Sequence, residues 1–334
     1  MPRSISLDTI RDAARTVYTA AFRTPLVPLG PIVPDGPEIF LKLETLQPIG
    51  SFKIRGAYNA VRRLAPEQLA GGVWTVSAGN AAQGVALAAR TCGASCSVMV
   101  MDTAPETKLR AINRLGATIV KASYDECWRT VEEHGSPRMR GHFVHPFDDD
   151  DFISGNGTAA LEIVEDLPDV DAIIAPVGGG GLLAGIGVAL HALKPAAAVY
   201  AAEPATAAPL ERSLAEGRAM RFDNWQASFV DGAGGKSVLH TMWPLLKEHV
   251  RGSMVVSLDE AAAAMKLVAE RVHVIAEGAA ACAVAAAVSR RMAAHGHRKV
   301  VAVVSGGNVD LAKFAQLVGA CDAVPAAVLK AERA

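Results

Sequence analysis

A chain of 334 residues, 51% of them hydrophobic, is long enough to bury a sizeable core and to divide into two domains. Its formal charge of -1, with 33 basic and 34 acidic residues interspersed, excludes the electrostatic footprint of a nucleic-acid or anionic-membrane binder and suits a small, roughly neutral partner. Cys92, Cys96, Cys127, Cys282 and Cys321 lack metal-ligand spacing. With no signal-like apolar stretch in the first residues, they are expected as reduced thiols in a cytoplasmic protein.

Taken in chain order, the first chemical motif is Ser51-Phe52-Lys53-Ile54-Arg55-Gly56-Ala57. A lysine beside an aromatic residue ordinarily keeps its charge in water above an apolar stem, so Lys53 gains meaning only from later motifs. Beyond it strands and helices alternate. Val73 to Val76 reads as a strand, 81–90 as a helix that follows Ser77-Ala78-Gly79-Asn80, and 97–101 as a strand. Residues 106–115 read as a helix closed by Gly116, 118–121 as a strand, 124–134 as a helix closed by Gly135, and 142–145 as a strand. This βαβ pattern predicts an α/β fold with a small parallel-sheet domain over 67–145. Pro146 to Asp151 marks the crossing into a larger, discontinuous domain, 1–66 plus 146–334. Strands are expected there at 172–177, 199–202 and 301–304, among alanine-rich helices.

Residues 172–190 carry no charge and are nearly long enough to cross a bilayer. Pro176 and the run Gly178-Gly179-Gly180-Gly181 break that span into a strand, a loop and a helix from about Leu182, so no membrane partner is expected. Two sharper readings remain open for the glycines. Gly179-x-Gly181-x-x-Ala184, with Glu203 ending the next strand, fits a dinucleotide fold. Alternatively the backbone N–H groups of Gly178 to Leu182, at a helix start, cradle a single phosphate. Only the second leaves a role for Lys53 and for the late loop Ser305-Gly306-Gly307-Asn308.

Together these motifs resemble a known family, the fold-type II pyridoxal-phosphate enzymes, and within it the serine/threonine dehydratase (threonine ammonia-lyase) group. The resemblance is carried by Leu43-Glu44-x-x-Gln47-Pro48-x-Gly50-Ser51-Phe52-Lys53-x-Arg55-Gly56-Ala57, Ser77 to Asn80, Gly178 to Leu182 and Val304 to Asp310. His145 to Asp149, Gly155 to Thr158 and Glu203-Pro204 add support. It implies a two-domain fold like that of the tryptophan synthase β subunit, each domain an open, mainly parallel sheet flanked by helices. The large domain would hold pyridoxal 5'-phosphate and the small one would carry the loop for the substrate carboxylate.

The resemblance further implies that Lys53 forms the internal imine with the cofactor, that Phe52 packs against its ring and that Asn80 hydrogen-bonds the ring hydroxyl. Gly178, Gly179, Gly180, Gly181 and Leu182 would cradle the phosphate. Ser77, Ala78, Gly79, Asn80 and Ala81 would bind the substrate carboxylate through N–H groups and a hydroxyl. Ser305 would face the pyridine nitrogen, and a hydroxyl there weakens the electron sink and favours prompt loss of a β-substituent. The freed Lys53 amine would take the α-proton, with the cofactor phosphate as acid for the departing hydroxide. The implied activity is a dehydratase converting a β-hydroxy amino acid such as L-threonine or L-serine to a 2-keto acid and ammonia, in a homodimer or higher oligomer.

Departures from the family pattern sharpen this. Ala78 stands where the racemases of the group place a basic serine, which points to elimination, and Ala81 replaces a common histidine. A divalent cation near Glu203 and Ala207 would lack its third carboxylate, because Pro209 occupies that place. A monovalent site built on Glu203 and carbonyls stays open. Glu277 is either a cofactor-pocket residue or a helix-start acid favoured by the dipole. Arg55 reads as a surface or interdomain ion pair and the histidines as structural or solvated. The short stretch after Ser305 suggests a form without an appended regulatory domain. Two alternatives remain: β-elimination or replacement of another leaving group, and a dinucleotide-dependent oxidoreductase.

Overall fold

The two blocks of strand-like sequence form two separate sheets. The structure is a computed structural model and describes residues 3–321. In chain order the strands are β1 (Leu26–Gly30), β2 (Glu38–Leu43), β3 (Val73–Val76), β4 (Cys96–Met101), β5 (Thr118–Ala122), β6 (His142–Phe143), β7 (Ala172–Pro176), β8 (Ala198–Pro204), β9 (Gly252–Val256) and β10 (Lys299–Val304). The smaller sheet has the order β5-β4-β3-β6 with every pair parallel. The larger runs β1-β2-β10-β7-β8-β9 and is parallel apart from β1, which pairs antiparallel with β2 at one edge. Helices flank both sheets, as the fold class requires.

Burial explains the order of the larger sheet. Val300 to Val304 of β10 and Ala172 to Ala175 of β7 are fully buried, and each enclosed valine or isoleucine contributes roughly 1.5–3 kcal/mol relative to exposure. Such strands are stable only at the centre, with helices on both faces. Ile174, Ala302 and Val304 face the helices Leu258–Val272 and Gly278–Ala287, whereas Ile173, Val301 and Val303 face the helices Asp150–Asp166 and Gly181–Leu193. Helix 278–287 is alanine-rich and buried all round, as a helix that is apolar on every side must be. The uncharged stretch 172–190 divides into β7 and the start of helix 181–193. No described helix is long and apolar enough to cross a membrane.

Three features differ from the sequence expectation. β1, β2 and β9 lie outside the expected strands: β1 and β9 are the two edges of the larger sheet, carrying Pro28 and Ser253, and pairing with their neighbours, β1 with β2, β2 with β10 and β9 with β8, makes them β. Helix Tyr124–Glu132 turns at His134, which takes the left-handed conformation (φ 54°), instead of at Gly135. Arg55 is not at the surface. It is wholly enclosed, with Nε 2.7 Å from Glu44 Oε2 and Nη1 2.6 Å from Glu162 Oε1. The cause is close helix packing: a Cβ on Gly155 would lie 2.4 Å from the Arg55 carbonyl oxygen, and one on Gly56 would strike Phe152. At that separation the Lys53–Arg62 helix and helix 150–166 leave no route to water. Lys42 joins the same cluster, 2.6 Å from Glu162 Oε2.

Candidate active site

Four segments that are far apart in sequence converge at the N-terminal end of the helix Lys53–Arg62. An isolated antiparallel bridge joins Ser51 to Gly306, the Phe52 N–H donates to Ser305 O at 3.0 Å, and the Gly307 N–H donates to Gly50 O at 2.9 Å. The lysine loop and the Ser305 loop are therefore stitched together by backbone. On the other side, a Cβ on Gly84 of the helix Asn80–Thr91 would lie 3.1 Å from Lys53 O, so the loop 77–80 sits at the start of a helix pressed against the lysine's own.

Lys53 Nζ donates to Pro146 O at 2.6 Å and lies 5.3 Å from the ring centroids of both Phe52 and Phe152. Burial among these groups lowers its pKa to about 8, against the opposing pull of the Glu277 carboxylate. An amine so tuned is neutral often enough near physiological pH to act as nucleophile or base.

The glycine run follows β7 and opens helix 181–193, whose first-turn N–H groups have no partner within the helix. Gly180 holds a left-handed φ of 92°. Gly179 and Gly181 press on Phe147: a Cβ on Gly179 would fall 2.1 Å from that ring, and one on Gly181 2.6 Å from the Phe147 carbonyl oxygen. Phe147 leaves no room for a side chain there, and the first-turn N–H groups are the kind of donors an anion takes. Leu182 is buried beneath the turn.

Ser77, Ala78, Gly79 and Asn80 are partly exposed, whereas Ala81 is buried. The Gly79 N–H donates to Ser77 Oγ at 3.1 Å, which shapes the turn before helix 80–91. Asn80 is held by two partners: its Nδ2 donates to Glu277 Oε1 at 2.8 Å, and its Oδ1 accepts from Asn308 Nδ2 at 2.7 Å. Glu277 is 6% exposed. Burial, then the nearby Asp231, pushes its pKa up to about 7. Ser305 is buried at the end of β10. The structure thus brings together Phe52, Lys53, the 77–81 loop, the glycine turn and Ser305.

Sequence reasoning missed the part played by the crossing segment. Pro146 supplies the lysine's acceptor and Phe147 the wall of the glycine turn, and both are fixed by His145. The His145 Nδ1 accepts the N–H groups of Phe147 (3.3 Å) and Asp148 (2.8 Å), while Nε2 faces Val131 O at 3.1 Å. Burial, followed by the neighbouring His134, lowers the His145 pKa to about 4, which keeps that neutral tautomer in place. His134, His145 and Asp148 have metal-like proximity, but hydrogen bonds already occupy both His145 nitrogens, and Arg3, Thr241 and His134 engage the Asp148 carboxylate.

Glu203 is fully buried. Its carboxylate accepts the N–H groups of Leu210 and Glu211, both at 2.8 Å, and the Ser253 hydroxyl at 2.6 Å. With Pro209 at the helix start, this donor set does not fit a divalent ion. A cavity of about 350 Å³ lined by Trp128, Glu132, Arg221, Lys236 and His240 lies apart; none of the expected site residues lines it.

Comparison with known proteins gives these observations a context. The chain is 38% identical over 315 residues to the L-threonine ammonia-lyase of Thermotoga maritima, covering 92% of this chain and 76% of that one. It is 35% identical over 322 residues to the serine racemase of Dictyostelium discoideum, covering 94% and 98%. The solved structure of maize serine racemase superposes with a TM-score of 0.86 at 33% identity, covering 94% of this chain and 96% of that one. The sequence profile described as "Pyridoxal-phosphate dependent enzyme" matches residues 17–306.

Proposed function

The chain belongs to the pyridoxal-phosphate-dependent enzyme family, and on that premise we propose that it is a dehydratase (ammonia-lyase) converting a β-hydroxy amino acid such as L-threonine or L-serine to a 2-keto acid and ammonia. Family membership removes the dinucleotide reading of Gly179-x-Gly181. The observation that carries the reaction is Ala78, seen beside the likeness to a threonine ammonia-lyase across 92% of the chain. Serine racemases are also relatives. Racemisation needs an acid–base group on the second face of the substrate, and a methyl group at Ala78 moves no proton.

The residues present fit the cofactor: a partly buried lysine of lowered pKa, a glycine turn at a helix start that admits no Cβ, and a buried serine. Lys53 would hold it covalently through Nζ. Gly178 to Leu182 would hold its phosphate, Asn80 its ring oxygen and Ser305 its ring nitrogen, with Phe52 beside the ring. When bound, the group supplies an electron sink that makes the substrate Cα–H acidic. The N–H groups of Ser77 to Ala81 bind the substrate carboxylate and set the Cα–H bond toward Lys53. As a free amine Lys53 Nζ would take the α-proton, and one proton returned to the β-hydroxyl would let it leave as water, so that the net loss is one water. Phe52 and Phe152 keep bulk water from that amine. The enamine product then adds water and loses ammonia in solution.

The same reading places the boundaries of the small lobe near 66/67 and 145/146 and assigns a cytoplasmic homodimer or higher oligomer acting on a small amino acid. The deciding assay is release of 2-keto acid and ammonia from serine, threonine and larger 3-hydroxy amino acids by cofactor-loaded protein. Stoichiometric release from one of them is expected. Silence across the set would sink the dehydratase and leave β-replacement as the reading.

A further inference from the structure

Asn80 is pinned at both ends of its amide, and the pinning has a chemical sense. Asn308 Nδ2 donates to Asn80 Oδ1 at 2.7 Å and is itself anchored on Ile49 O, also at 2.7 Å. At the other end, Asn80 Nδ2 donates to Glu277 Oε1 at 2.8 Å. The carboxylate is held from several sides. The Glu277 N–H donates to Gly306 O at 3.0 Å, and a Cβ on Gly306 would lie 2.7 Å from Oε1. A carboxamide offers two N–H donors and one accepting oxygen, whereas an ionised carboxylate only accepts. Turning the amide over would set its oxygen against the carboxylate and its NH2 against the NH2 of Asn308. One orientation survives, and in it the hydrogen still to be placed belongs to a donor.

We propose that Glu277, with Asn308, is a positioning residue that fixes the Asn80 amide as a hydrogen-bond donor toward the cofactor's ring oxygen and so holds that oxygen in its anionic form. This rests on the reading above, in which Asn80 meets that oxygen. A donor stabilises an anionic oxygen and a carbonyl repels it, so the choice of amide face sets the electronic state of the bound group. The groups that face Glu277 are Lys53, Asp231, Lys108, the side-chain amide of Asn80 and the backbone N–H of Asn308. A Glu277 carboxyl that gains a proton near pH 7 loses its acceptor-only character, and the amide lock loosens.

The test uses full-length protein loaded with pyridoxal phosphate, read by the ratio of the yellow absorption band to the near-ultraviolet band over pH 5.5 to 9 (about that range, chosen to bracket the Glu277 titration). Wild type is expected to be yellow at neutral pH, to lose yellow intensity as pH falls through about 7, and to be labelled on Lys53 by borohydride. Glu277→Ala is expected to shift the balance toward the near-ultraviolet band at neutral pH and to weaken cofactor binding about tenfold, the loss of one charge-assisted hydrogen bond. Glu277→Gln, which like the protonated carboxyl is uncharged and no longer acceptor-only, is expected to hold the reduced band ratio of the low-pH wild type at every pH, without the inflection near pH 7. Asn308→Ala, at the exposed end of the chain of contacts, is expected to shift the bands partway and serves as the second variant if Glu277→Ala does not fold. A merely structural Glu277 would lower the melting temperature and leave the band ratio alone. Loaded, yellow Glu277→Ala and Asn308→Ala proteins with the wild-type ratio at every pH would overturn the positioning role while leaving the dehydratase intact. A wild type that takes up no cofactor on Lys53 would instead overturn both.

Discussion

Lys53 and Arg55 stand two residues apart on one helix, Arg55 wholly and Lys53 partly withdrawn from water, and the structure treats them in opposite ways. Arg55 meets two carboxylates at hydrogen-bond distance, from Glu44 and Glu162, and a hydroxyl from Thr158. Burial works against its charge, but the two carboxylates more than offset this and raise its pKa. Lys53 meets one carbonyl, Pro146 O, two phenyl rings and only the longer-range field of Glu277. Its pKa falls. Full pairing turns a buried cation into a structural pin, and partial pairing makes it a group that can shed its proton, which is what a covalent anchor and base must do.

The largest effect that would break the comparison is at Lys53. Lys53→Ala is expected to lower turnover by at least about 10³-fold, the upper part of the range for a lost base, with the melting temperature unchanged or raised because a poorly paired buried amine has gone. A variant that turned over keto acid at the wild-type rate would show that the lysine is another pin. Arg55→Met should behave in the reverse manner. Stranding Glu44 and Glu162 is expected to cost about 3–5 kcal/mol in denaturant unfolding, while activity per folded molecule falls much less.

Two smaller effects sharpen the contrast through pH. Glu277 holds a proton in the folded state up to about pH 7 that the unfolded chain releases near 4.5. A raised acid pKa means that the folded state binds more protons between those values, so its contribution to stability is lost as pH rises from about 4.5 to 7. Replacing it by glutamine should flatten that loss by on the order of 1–3 kcal/mol, measured as the difference between the two proteins' unfolding free energies at the two ends of the window. The lowered Lys53 pKa has the opposite sign: its penalty is complete below about 8 and fades as pH rises toward 10.5. The expected kinetic sign is that cofactor uptake by apoprotein, followed at the yellow band, quickens about tenfold per pH unit below 8 and levels off above it, because the neutral amine is the nucleophile. A flat profile would mean that Lys53 is already neutral at low pH.

Motifs that act through the backbone were legible in the chain. The alternation of strands and helices, the parallel small sheet and the glycine turn follow from period, length and the absence of side chains, which are local properties. Arg55 was misread because burial depends on how closely Gly56 and Gly155 let two helices approach, and those positions are about a hundred residues apart. The acceptor for Lys53 was out of sight for a similar reason: Pro146 contributes a carbonyl, which any residue carries. Asn308 lay inside a recognised motif, yet its bond to Asn80 spans 228 positions.

Composition and local pattern determined the class of fold, the run of motifs and the chemical types available, because propensity, turn chemistry and hydrophobic period act over a few neighbouring residues. Tertiary structure alone decided which of two neighbouring cations became a pin and which a reactive amine. Desolvation and pairing depend on what distant segments bring to a point in space, and no spacing along the chain encodes that.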